Sequence, residues 1–146
     1  MMKEDLARNN PYMKMVVNIL RAGKIIDHKV SEVLKDHGIT HTQFNILRIL
    51  EARLPEKLSL EEIRDGLLFP GSDVSRLLDR LVRRGLISRE ICPRNRRKLE
   101  VSITPKGLDL IRQAIPGIRE SLDGYYEHEI SEEERLQVID IMKRIV

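Results

Sequence analysis

Between Gly71 and Lys98 the chain reads GSDVSRLLDRLVRRGLISREICPRNRRK, and the side chains there that could do chemistry are mostly hydroxyls and guanidiniums. Ser72, Asp73, Ser75, Arg76 and Arg80 fall on the polar side of a helical pattern whose apolar side is Val74, Leu77, Leu78, Leu81 and Val82. A row of arginines on such a face offers donor forks that match guanine edges or phosphate oxygens. Ser72 is placed to cap the first turn. Asp73, which would repel phosphate, suits amide capping or acceptance from a cytosine amino group. Gly85 ends the helix at a position that favours a left-handed backbone. A second basic group follows on a predicted hairpin, with Arg94, Arg96 and Arg97 at its tip and Lys98 opening the returning strand. Arginine there suits a narrow minor groove, where negative potential is concentrated. The chemistry implied is recognition of double-stranded DNA by a helix in one groove and a basic hairpin beside it.

Charge distribution carries more information than net charge. Nine basic residues between Ser72 and Lys98 face only Asp73, Asp79 and Glu90, leaving +6, whereas the other 17 basic and 20 acidic residues leave −3, against a total of +3. Such clustering is the footprint of a polyanion binder. The competing reading is a solvated face on which Arg76 and Arg80 pair with Asp73 or Asp79. Thr42 and Gln43, at another predicted helix N-terminus, are further candidates for phosphate contact, with local capping an equal alternative for Gln43.

Other classes find little support. Five aromatics and no Trp disfavour a single-strand binder that stacks bases on rings. Cys92 stands alone, which rules out an internal disulfide framework and fits a reducing, cytoplasmic setting. Arg89 and Arg94 near it would favour a thiol sensor, and Ile91 and Pro93 beside it an inert thiol; the inert reading is preferred. His37 and His41 stand four apart, but Gly38 breaks a helix between them, so no metal site is expected. No phosphate loop, nucleophile motif or paired carboxylates appear, so neither an enzyme nor a cofactor is expected. The first ten residues lack the apolar core of a signal peptide, and no apolar run is long enough to cross a membrane.

The elements that position these groups can be read from start and stop signals. At 146 residues one domain is expected. Pro11 opens a helix that runs to about Asp36. Thr40 with Gln43, and Ser59 with Glu62, form capping boxes for two further helices, stapled by Ile39 with Phe44 and Leu58 with Ile63. The second is short, so with the Ser72 helix it makes a helix-turn-helix, and the hairpin adds a wing. Thr104-Pro105 opens a long helix that Pro116-Gly117 is expected to kink or interrupt. Ser131 with Glu134 starts the last one, with acids at its first turn and Lys143 and Arg144 at its end. The fold class is mainly α with a small β-hairpin wing.

The order of elements, together with VSRLLDRLVRRGLI and NRRKLEVSITPKG, resembles the MarR family of winged helix-turn-helix transcription regulators over roughly Ile39 to Leu108. The resemblance implies a winged-helix unit at 39–104 flanked by dimerisation helices at 11–36 and 105–146. It implies a homodimer held by Val16, Ile19, Leu20, Leu136, Ile139, Met142 and Ile145, with the Ser72 helix in the major groove and the wing in the minor groove. The expected function is a repressor of an inverted-repeat operator, released by a small, frequently aromatic, acid. A winged-helix protein-interaction module and a redox sensor acting through Cys92 are the alternatives. The family's wing usually carries Asp-Arg-Arg; this chain has Asn95-Arg96-Arg97, which replaces a charged brace for Arg96 by an amide. Ile63-Arg64 and the turn Leu68-Phe69-Pro70-Gly71 also depart from the family pattern.

Overall fold

The computed structural model describes residues 10–146; the polar lead before Asn10 lies outside the described residues. The chain is mostly helical. Helix α1 spans Pro11–Lys35, α2 His41–Ala52, α3 Leu60–Asp65 and α4 Val74–Arg83. Strands β1 (Ile87–Cys92) and β2 (Asn95–Ile103) precede α5 (Pro105–Tyr126) and α6 (Glu132–Lys143). Two compact units result, one holding the chain through Val30 together with Ile118–Val146, the other Ser31–Gly117.

The capping chemistry read from the sequence is present at three helix starts. The hydroxyls of Thr40, Ser59 and Ser131 accept from the backbone amides of Gln43, Glu62 and Glu134, whose side chains accept in return from the cap amides. Thr104 also behaves as predicted: its hydroxyl accepts from the Gly107 amide at 3.1 Å while donating to the Gly85 carbonyl at 2.6 Å. Gly85 takes the left-handed backbone, with φ of +70°.

In the Ser31–Gly117 unit, Leu34, Ile46, Leu47, Leu50, Leu58, Ile63, Leu78, Leu81, Leu86, Val101 and Ile111 are almost wholly buried. Removing each from water contributes about 1.5–3 kcal/mol, and together they fix α4 against α2, α3 and the hairpin. The strands are antiparallel, pairing Ile87 with Ile103, Arg89 with Val101 and Ile91 with Leu99. A bridge from Leu58 to Val101, with N–O distances of 2.8 and 2.9 Å, attaches the chain before α3 to β2. Gly107 lets α5 start close against the hairpin: a Cβ there would stand 2.2 Å from the Leu86 carbonyl oxygen.

Three expectations are corrected. The cap of α4 is Asp73, whose carboxylate accepts from the Arg76 amide at 3.2 Å; the Ser72 hydroxyl donates instead to the Phe69 carbonyl. The turn at Gly71, with φ of +87°, starts the helix one residue later than the serine would. Pro116 does not interrupt α5, which is helical on both sides of it. Pro116 and Arg112, whose carbonyl the proline leaves without its helical donor, are both exposed residues. The hairpin is also longer than expected: Cys92 pairs with Asn95, so only Pro93 and Arg94 form the loop and Arg96 and Arg97 already belong to β2.

In the other unit, Lys29 places its ammonium 4.0 Å from the Tyr125 ring centroid, and Tyr125 meets Tyr126 edge to face. Burial and the neighbouring Tyr125 push the Tyr126 hydroxyl above its usual pKa. A cavity of about 600 Å³ is lined by Ala22, Ile26, Leu122, Tyr126, Val138 and Ile139 among others. Helix α6 buries none of its residues. No helix among the described residues is long and apolar enough to cross a membrane.

Candidate nucleic-acid interface

Helix α4 divides cleanly by exposure. Val74, Leu78 and Leu81 are buried, whereas Ser75, Arg76, Arg80 and Arg83 are exposed and line one polar concavity together with Asp73 and Asp79. Ser72 is half-buried at the entry to this face. The apolar stripe therefore anchors the helix, and the guanidinium row is what it presents outward.

The ion-pair reading of that row fails on geometry. Asp79 pairs with Arg89 of β1 at 2.8 Å, and Asp73 is engaged by the Arg76 backbone amide. Among the described residues Arg76, Arg80, Arg83, Arg94, Arg96, Arg97 and Lys98 make no ion pair, and all are exposed. Seven cations are thus left for an external anion on the helix and wing.

Two of the nine basic residues in this stretch have internal roles that the sequence did not disclose. Arg89 is the partner of Asp79. Arg84 donates to the carbonyls of Gly38 and His37 at 2.6 and 3.1 Å. Neither has a periodicity or cap signal, because each partner is distant in sequence. The same holds for Lys57, whose ammonium meets the Glu90 carboxylate at 2.6 Å, raising the lysine pKa and lowering that of the glutamate.

At the wing, Asn95 does not brace the Arg96 side chain; its amide oxygen accepts from the Arg97 backbone N–H at 3.1 Å. The amide side chain closes the turn on the backbone instead. Cys92 lies half-buried at the bulge where β1 loses register. Gln43 is only 5% exposed and its oxygen accepts from the Thr40 amide at 3.0 Å, so of the two readings for this residue the cap is the one its position supports. Thr42, half-buried in the first turn of α2, keeps no such commitment. His41 packs edge-on to Phe69 at 5.1 Å, and no group of three or more metal-ligating side chains occurs among the described residues. In the turn before α4, the Leu68 amide donates to Asn45 at 2.9 Å.

A short helix, a turn, an outward-facing second helix and a basic hairpin together define a winged helix-turn-helix. Residues 37–98 match the family model described as MarR family. Over 133 residues the chain is 26% identical to the HTH-type transcriptional regulator MhqR of Bacillus subtilis, covering 91% of this chain and 90% of that protein. Among solved structures, a mutant of Escherichia coli MarR complexed with operator DNA superposes with a TM-score of 0.79 at 21% identity, covering 96% of each chain. BpsR of Bordetella bronchiseptica, whose DNA binding is regulated by 6-hydroxynicotinic acid, superposes with a TM-score of 0.79 at 20% identity, covering 90% of this chain and 98% of that one. Residues 37–98 thus carry the winged helix-turn-helix of the MarR family model, and the chain is similar to HTH-type transcriptional regulators over most of its length.

Proposed function

We propose that this chain is a transcriptional regulator that works as a homodimeric repressor, reads an inverted-repeat operator in double-stranded DNA, and does no catalysis. The observation that carries the reading is the row of unpaired cations on α4 and the wing beside two arginines, Arg84 and Arg89, that are internally tied. Helix α4 enters the major groove with Ser72, Asp73, Ser75, Arg76 and Arg80 toward base edges and phosphates. Arg94, Arg96, Arg97 and Lys98 approach the minor groove, and Thr42 donates to phosphate from the start of α2.

The dimer is held by the helical unit. Val16, Leu20, Leu136, Ile139 and Ile145 are each more than 40% exposed, with Ile19 and Met142 half-buried among them. Apolar faces of this extent on one chain favour a second copy. A small organic acid is the proposed effector, by likeness to BpsR; it acts by favouring a dimer whose reading helices no longer match successive major grooves. Sedimentation of the protein alone and on an excess of duplex tests the arrangement. Two chains sediment together and two occupy each site; a monomer that binds singly contradicts it. Leu20→Glu separates the chains if these helices hold them.

A further inference from the structure

The C-terminal end of α4 is held by a latch that the proposed reading does not use. Arg84, its C-cap, sends one guanidinium nitrogen 2.6 Å to the Gly38 carbonyl and the other 3.1 Å to that of His37. A Cβ on Gly38 would stand at ordinary packing distance, 3.5 and 3.6 Å, from the two terminal guanidinium nitrogens. Gly38 itself has φ of +69°, which few other residues adopt. From the opposite side Lys106 donates to the Arg84 carbonyl at 2.8 Å and Thr104 to the Gly85 carbonyl at 2.6 Å. Cations at the carbonyl end of a helix also oppose its dipole favourably.

The position of the latch gives it a consequence. The turn at His37-Gly38 runs directly into Thr40, which caps α2, and Thr42 follows in the first turn of that helix. One guanidinium therefore ties the segment that carries the α2 N-terminus to the far end of the helix bearing Arg76 and Arg80. We infer that Arg84 is a positioning residue for sequence reading: it sets α4 relative to the start of α2 so that base contacts and phosphate contacts are met together. It reaches no DNA itself, although by charge alone it belongs to the basic patch. This inference rests on the DNA-binding reading above.

Phosphate contacts set how binding depends on salt, whereas register sets discrimination between sequences, so the two roles separate experimentally. The test compares the intact protein with Arg84→Gln and Arg84→Lys on a preferred duplex and on a scrambled one, over a salt series. A latch predicts that Arg84→Gln lowers the preference for the chosen duplex about tenfold or more while the slope of log K against log salt stays unchanged. Arg84→Lys, which retains one donor to a carbonyl, recovers part of the preference. Gly38→Ala, which strains the positive-φ backbone that presents the accepting carbonyls without altering charge, reproduces the loss. A slope reduced by about 0.9 with preference intact would make Arg84 a phosphate contact and overturn the inference. Unchanged preference and slope would overturn it too. Should Arg84→Gln not fold, the same two readouts on Arg84→Lys and Gly38→Ala decide the question. If the intact protein itself prefers no sequence, the DNA-binding reading fails rather than the latch.

Discussion

The Asp79 carboxylate of α4 holds the Arg89 guanidinium of β1 at 2.8 Å. Helix and hairpin are thereby joined by a charge pair as well as by the buried Leu81, Leu86 and Val101. Both side chains are partly exposed, so the pair adds only about 0.2–1 kcal/mol to stability. Its larger effect is on charge. Asp79→Asn removes an anion from the face proposed to meet phosphates and releases Arg89. Non-specific affinity is expected to rise, with a salt slope steeper by up to about 0.9, while the thermal midpoint moves little. Anisotropy titrations over a salt series, beside a melting curve, measure both.

On the proposed DNA-binding reading the exposed cations divide into two groups. Arg76→Ala and Arg80→Ala are expected to lose about 1–3 kcal/mol on the preferred duplex and to relax discrimination at one base position each. Arg96→Ala and Arg97→Ala are expected to weaken all duplexes alike and to flatten the salt slope by about 0.9 for each phosphate left without its cation. Titrations with single-position variants of one duplex separate the patterns.

Acid sensitivity follows from the capping boxes. The Ser59 backbone N–H lowers the Glu62 pKa below 4.5, and the Ser131 backbone N–H does the same for Glu134. A lowered folded-state pKa means that the stabilisation is present above the unfolded value and is lost as pH falls through the folded one. Unfolding free energy therefore declines below about pH 4.5 as these carboxylates protonate. Urea titrations between pH 3 and 7 should show a shallower acid decline for Glu62→Gln, and carboxyl NMR titrations should place both glutamates below their usual range.

Gly107 is the most closely packed glycine of the Ser31–Gly117 unit. Its added Cβ would meet the Leu86 carbonyl oxygen at 2.2 Å and the Ile103 side chain at 2.7 Å, so backbone must move. Gly107→Ala is expected to destabilise by about 1–3 kcal/mol, read as a lower urea midpoint.

What was legible in the sequence was local. The caps at Thr40, Ser59, Thr104 and Ser131, and the turn at Gly85, depend on residues a few positions apart, and each is present. The stripe of α4 was legible because its 3.6-residue period is imposed by the buried core. What escaped were choices between neighbours and distant partners. Ser72 and Asp73 both suit a cap, and the backbone turn at Gly71 decided between them. Asn95 offered no sign that it would take the Arg97 amide rather than the Arg96 side chain. Arg84 read as one more surface charge because its carbonyl partners lie 46 and 47 residues away.

On the proposed reading, α4 and the wing of two chains read one duplex sequence as a pair of half-sites. Selection of a randomised duplex library by the purified protein at near-physiological salt, with sequencing of the bound fraction, tests it most directly. The account predicts enrichment of an inverted repeat with half-site centres one helical turn, about 10–10.5 base pairs, apart or a multiple of that. Recovery of duplexes without any shared sequence would contradict it and leave the basic face with a non-specific or protein partner.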